Sequence, residues 1–155
     1  MATVKYVAGG VSSWTAAFTA STLNSITNGN AILSDAALDN TSNLDTYAAV
    51  GIQFGAVTTV APNFIGVYLY PLNQDGSTYG DARFGSSAAG PPASNYFVGN
   101  IVVPIATTTA FEGTLFDIKI PPLKFKFVMY NQSGVTLAGS GGNSFYWQTY
   151  NYSVA

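Results

Sequence analysis

Residues 123–130 read Leu-Lys-Phe-Lys-Phe-Val-Met-Tyr, and this alternation restricts the fold more than any other stretch of the chain. A β-strand turns successive side chains to opposite faces. Leu123, Phe125, Phe127 and Met129 therefore share one side, with Lys124 and Lys126 on the other. The same period recurs elsewhere. Residues 47–54 put Ala48, Val50, Ile52 and Phe54 together, and residues 64–72 set Ile65, Val67 and Leu69 against Tyr68 and Tyr70. Residues 96–105 gather Phe97, Ile101, Val103 and Ile105; residues 114–120 place Phe116, Ile118 and Ile120 opposite Asp117 and Lys119. In residues 144–153, Tyr146, Gln148, Tyr150 and Tyr152 face away from Phe145, Trp147 and Thr149.

Weaker β segments fall at residues 4–8, 15–20 and 31–34, with Asn28-Gly29 suited to a tight hairpin before the last. The only helix signal is short, over residues 21–26, with Ser21 as its cap. Short strands punctuated by Gly, Pro, Asn and Ser, with no helical layer, predict an all-β sandwich or barrel. A jelly roll is the favoured form, and other Greek-key orders stay open. A length of 155 residues suits one domain. It divides into an N-terminal arm at residues 1–13 and a β-sandwich at residues 14–155. Residues 73–95 form a long loop, expected to make contacts.

Charge is scarce. Asp, Glu, Lys and Arg make up 8% of the chain, against about 25% in ordinary soluble domains. A surface of Tyr, Thr, Ser, Asn and Gly suits a protein pressed against neighbours rather than a dispersed monomer. A net charge of −2 offers no electrostatic footprint for nucleic acid. No apolar run approaches the length of a membrane-spanning helix, and residues 1–10 lack the apolar core of a secretory signal.

Histidine and cysteine are both absent, which excludes histidine-based nucleophilic triads and His/Cys zinc sites. Glu112 and Asp117 lie about 17 Å apart along an extended strand, too far for a paired-carboxylate glycosidase. Asp75 and Asp81 faintly resemble an oxygen-rich calcium loop, but a plain Asp-Gly turn accounts for the stretch. Residues 139–143 are glycine-rich but precede a strand rather than a helix, so they read as a turn and not a phosphate cradle. The sequons at Asn40, Asn131 and Asn151 are read as chance occurrences. The expectation is a non-enzyme without cofactor or metal, acting through aromatic contact surfaces. The interface candidates are Tyr6, Trp14, Tyr68, Tyr70, Tyr79 and Phe84, followed by Tyr146, Trp147, Tyr150 and Tyr152 in the last strand. Their Tyr/Gln face also suits stacking on sugars.

Three stretches carry a resemblance: residues 64–84 (FIGVYLYPLNQDGSTYGDARF), 91–99 (PPASNYFVG) and 120–139 (IPPLKFKFVMYNQSGVTLAG). They resemble a family of small structural proteins encoded by tailed bacteriophages and prophages, over roughly residues 44–153. Leu123 stands where that pattern has Gly, and residues 144–153 are more aromatic than the family's ending. The resemblance implies a virion protein, expected to be a decoration (cement) protein on the outer capsid that bridges major capsid protein subunits as a homotrimer. The alternative is a tail-associated adhesin binding host-surface glycan through Trp14, Tyr146, Trp147 or Tyr150.

Overall fold

The alternating runs form the strands of two antiparallel sheets packed face to face. The computed structural model describes residues 3–61, 63–80, 87–104, 109–140 and 142–154. In chain order these hold β1 (Val4–Ala8), β2 (Thr15–Ala16), α1 (Ala20–Leu23), β3 (Asn30–Leu33), β4 (Leu38–Asp39), β5 (Tyr47–Phe54) and β6 (Phe64–Pro71). Next come β7 (Ser87–Ala89), a single 3-10 turn (Ser94–Tyr96), β8 (Phe97–Val102), β9 (Phe111–Lys119), β10 (Lys124–Gln132) and β11 (Ser144–Val154). The first sheet runs β1-β11-β5-β9, with β2 continuing the β1 side of β11; the second runs β7-β3-β10-β6-β8, with β4 against β10. With β1 and β2 counted as one strand and the short β4 and β7 set aside, this is jelly-roll order, successive strands crossing between sheets except β6 and β8, which pair within the second. The favoured sequence reading holds.

The core is the space between the sheets. Phe125, Phe127 and Met129 of β10 meet Phe145 and Trp147 of β11 there, all buried. The rings interlock, Phe125 edge to face with Trp147 at 5.8 Å and Phe127 tilted against Phe145 at 5.5 Å. The expected inward set of β5 is fully confirmed: Ala48, Val50, Ile52 and Phe54 are all buried. Helix α1 is four residues long, one position earlier than its sequence signal, and is capped by Thr19. Asn28-Gly29 does turn the chain, closed by the Asn30 N–H on the Thr27 carbonyl, but it leads from α1 into β3 instead of joining two paired strands.

Three local features depart from simple alternation. In β9 the pairing with β5 slips between Ala48 and Val50, so Phe116 and Asp117 together oppose Ala49. This bulge, with Asp117 at φ 58°, turns Phe116 outward to 61% exposure and leaves Leu115 packed against the core. In β8 a slip beside Tyr68 turns Phe97 outward in the same way, while Val98 packs on the core. Finally, Tyr68 and Tyr70 were expected on a presented face, yet both are buried. They form a second apolar cluster with Leu33, Val128 and Tyr130 on the outer face of the second sheet. The connection between β6 and β8 folds over this face through Tyr79, Ala88 and Tyr96. Gly80 lies so close to the Tyr70 ring that a Cβ there would fall 2.1 Å from it. Ile105 and Phe84 lie outside the described residues.

These positions separate core from surface. Phe127→Ala should destabilise the fold by about 3–5 kcal/mol. Phe116→Ala, on the bulge, should stay within about 0.5 kcal/mol of the parent. Urea unfolding followed by circular dichroism measures both.

Candidate functional site

Because its own loop covers much of the second sheet, the outer face of the first sheet is where most exposed aromatic side chains among the described residues are presented. Alternation along β11 sends Tyr146, Gln148, Tyr150 and Tyr152 to this face, and the register adds Tyr6 opposite Tyr152 and Tyr47 opposite Tyr150. The face has two ends, separated along β11 from Tyr146 to Tyr152 by about 20 Å.

At one end is a tyrosine cluster. The Tyr6 ring lies 4.8 Å from Tyr152 and 5.3 Å from Tyr150, and Tyr47 stacks on Tyr150 at 5.8 Å. Asp117 organises their hydroxyls. Its Oδ1 accepts hydrogen bonds from Tyr152 (2.6 Å) and Tyr150 (2.7 Å), while its own N–H donates to the Tyr150 hydroxyl oxygen (2.6 Å). The Tyr6 and Tyr152 hydroxyls sit 3.1 Å apart. The bulge is what aims the Asp117 carboxylate across the sheet. Hydrogen bonds from Tyr152 and then Tyr150 hold that carboxyl below its ordinary value. Burial, followed by the Asp117 hydrogen bond, pushes the Tyr150 hydroxyl up to about 12. The Asp117 hydrogen bond, followed by Tyr6, raises Tyr152 as well.

Strand β5 begins at Tyr47, opposite Tyr150; beyond that point β11 is paired only with β1 among the described residues. Residues 150–154 and β1 therefore form a two-stranded ribbon running past the end of β5. Every residue of β1 is exposed, with Val4, Tyr6 and Val7 among the large ones, and Val154 is exposed beside them. No strand borders the far side of β1 among the described residues.

The ribbon's base is clamped. Asp45, itself buried, accepts from the Gly10 N–H (2.8 Å), the Thr149 hydroxyl (2.5 Å) and the Asn151 amide (2.8 Å). Gly9 donates to the Thr149 carbonyl, and the Val11 N–H reaches the Thr149 hydroxyl. Gly9 passes so near this knot that a Cβ would meet Thr149 Oγ1 at 2.3 Å.

At the other end is an open groove of about 360 Å³. Its floor is set by register: Tyr146, Gly51 and Thr114 form one row across the sheet, and Ser144, Gln53 and Glu112 the next. Trp14 enters from the segment before β2 and lies over Gly51, where a Cβ would sit 3.3 Å from its ring. Trp14 remains 44% exposed and Tyr146 41% exposed.

Nine of the ten residues expected at an interface lie among the described residues, and they divide. Tyr6, Tyr150 and Tyr152 gather at the ribbon, with Tyr150 buried beneath its neighbours. Trp14 and Tyr146 line the groove. Tyr68 and Tyr70 lie under the covering loop, to which Tyr79 belongs, and Trp147 is in the core between the sheets. These burials remove Tyr68, Tyr70 and Trp147 from any surface of the folded chain. Sequence reasoning missed Tyr47, Gly51 and the role of Asp117. The available signal was an aspartate and a glycine inside strands, which disfavour both.

The remaining motifs have structural explanations. Asp75 accepts from the N–H groups of Ser77 and Thr78 at 2.8 Å, and its carboxyl is drawn down to about 2 by Thr78 and Ser77. It is a turn aspartate; Asp81 lies outside the described residues. No group of three metal-ligating side chains occurs among the described residues. The Asn40 and Asn131 side chains are buried and bonded to backbone carbonyls, so neither sequon can carry a glycan in the folded chain. Comparisons with family models, with characterised proteins and with solved structures find no match to this chain.

Two outcomes follow. The raised tyrosine values stabilise the fold below the ordinary value of 10.0, and that contribution is lost as pH climbs toward 12. The lowered Asp117 value contributes above 3.8 and is lost as pH falls through the lower folded value. In an ultraviolet titration Tyr150 should ionise near 12 and Tyr152 above the ordinary tyrosine value, and Asp117→Asn should bring both to lower pH. Asp45→Ala should cost about 1–3 kcal/mol by stranding buried donors, with faster amide exchange across Val4–Ala8.

Proposed function

We propose that this chain is a virion structural protein of a tailed bacteriophage, a decoration protein on the outer capsid that joins major capsid protein subunits and acts by binding rather than catalysis. The observation that carries this reading is the projecting ribbon. An isolated two-stranded ribbon is marginal in water, and this one exposes Val4, Tyr6, Val7 and Val154 together with a strand edge that is unpaired among the described residues. Natural proteins usually blunt such edges with charge or cover them; here Lys5 is the only charged side chain in β1. A neighbour's strand laid along β1 would satisfy its main chain and bury these side chains. Copies arranged as a homotrimer would hide three such edges around one axis. The low overall charge and the resemblance of residues 64–84, 91–99 and 120–139 to phage structural proteins support the same reading.

Cryo-electron microscopy of particles from a phage encoding this chain tests the proposal. Density for the sandwich should repeat across the shell, with β1 at the contact. Density confined to the tail would overturn it in favour of a tail adhesin. Removing residues 1–8, upstream of the Asp45 clamp, should weaken shell attachment at least tenfold while the rest of the sandwich still unfolds in one cooperative transition followed by circular dichroism.

A further inference from the structure

The groove at the other end of the first sheet has a chemistry distinct from the ribbon, and it is built from elements far apart in the chain. Trp14 lies against Gly51 with its ring atoms Cζ3 and Cη2 at 3.3 and 3.4 Å from the position of a Cβ there. The missing side chain at Gly51 thus seats the ring on the sheet, and 44% exposure keeps part of it open to solvent. A seated, half-open indole beside the exposed Tyr146 forms an apolar platform. Next to it runs a polar row, Ser144, Gln53 and Glu112, with Thr114 adjoining.

We propose that this groove binds a neutral saccharide, one pyranose ring stacking on Trp14 while its hydroxyls bond to Gln53, Glu112 and Thr114. Pyranoses combine an apolar C–H face with a rim of hydroxyl donors and acceptors, and the two rows match that division. A wholly apolar occupant would strip water from Glu112 and Gln53 without replacing its hydrogen bonds. Anionic ligands, including sialylated sugars and nucleic acid, meet the Glu112 carboxylate with no cationic side chain among the residues lining the groove. An open, shallow site of this kind holds a few sugar units of a longer chain and binds weakly at each copy. Many copies on one particle would raise its avidity by orders of magnitude. The inference stands apart from where the protein sits on a particle, since the groove and the ribbon occupy opposite ends of the face.

The chain's two tryptophans provide the assay, because Trp14 is half exposed and Trp147 is buried. Acrylamide quenching of the full chain is measured with maltohexaose, cellohexaose and N-acetylchitohexaose, and with 3′-sialyllactose as the anionic probe. At least one neutral hexasaccharide should reduce quenching of the exposed tryptophan twofold or more at millimolar concentration, and sialyllactose should not. By calorimetry, Trp14→Ala should abolish that binding and Glu112→Ala weaken it about tenfold. Trp14→Phe, which keeps a ring over Gly51, should retain it within tenfold, separating loss of stacking from loss of folding. Absence of protection by all three neutral probes would overturn the proposal. So would binding that survives Trp14→Ala, or equal binding of the sialylated sugar.

Discussion

Interlocking of Phe125 and Phe127 with Phe145 and Trp147 fixes the orientation of the two strands that carry most of the surface chemistry. Once those rings are inside, alternation leaves no choice for their neighbours. Lys124 and Lys126 must leave β10 on the other side, and Tyr146, Gln148, Tyr150 and Tyr152 must leave β11 on theirs. A register slip of one residue would exchange these sets and bury the polar ones, so the aromatic core also specifies the presented face.

A two-sheet sandwich has two outer faces, and this chain treats them differently. The connection between β6 and β8 folds back over the second sheet and buries Tyr68, Tyr70, Val128 and Tyr130. On the first sheet the equivalent face stays open, its tyrosines ordered by Asp117 and its edge strand held at one end by Asp45. A buried carboxylate with three donors is a strong local anchor. It fixes where the ribbon starts while the rest of β1 is left without a neighbour on its outer side among the described residues.

Much of this architecture was legible from the amino acids. The inward face of β5, and that of β10 from Phe125 onward, follow from period two alone, as does the split of β11; Leu123, expected on the same side, lies just before β10 and is exposed. What escaped were the places where alternation is interrupted. Phe116 and Phe97 look like core residues by spacing, but each sits beside a bulge that changes its facing. Tyr68 and Tyr70 look presented, because nothing local reveals that a distant loop will lie on them. Trp14 over Gly51 and Asp117 bonded to Tyr150 and Tyr152 are contacts between segments remote in sequence. Their partners become visible only once sheet order is known, since registers are set by topology and not by neighbouring residues.

The account rests on the ribbon of β1 and residues 150–154 being a buried contact in the assembled state. Hydrogen–deuterium exchange on the free chain and on purified particles carrying it tests this directly. Amides of Val4–Ala8 should exchange quickly in the free chain and slow at least tenfold on the particle, with the loop over the second sheet unchanged. Equal exchange of β1 in both states, or protection confined to the loop-covered face, would contradict it.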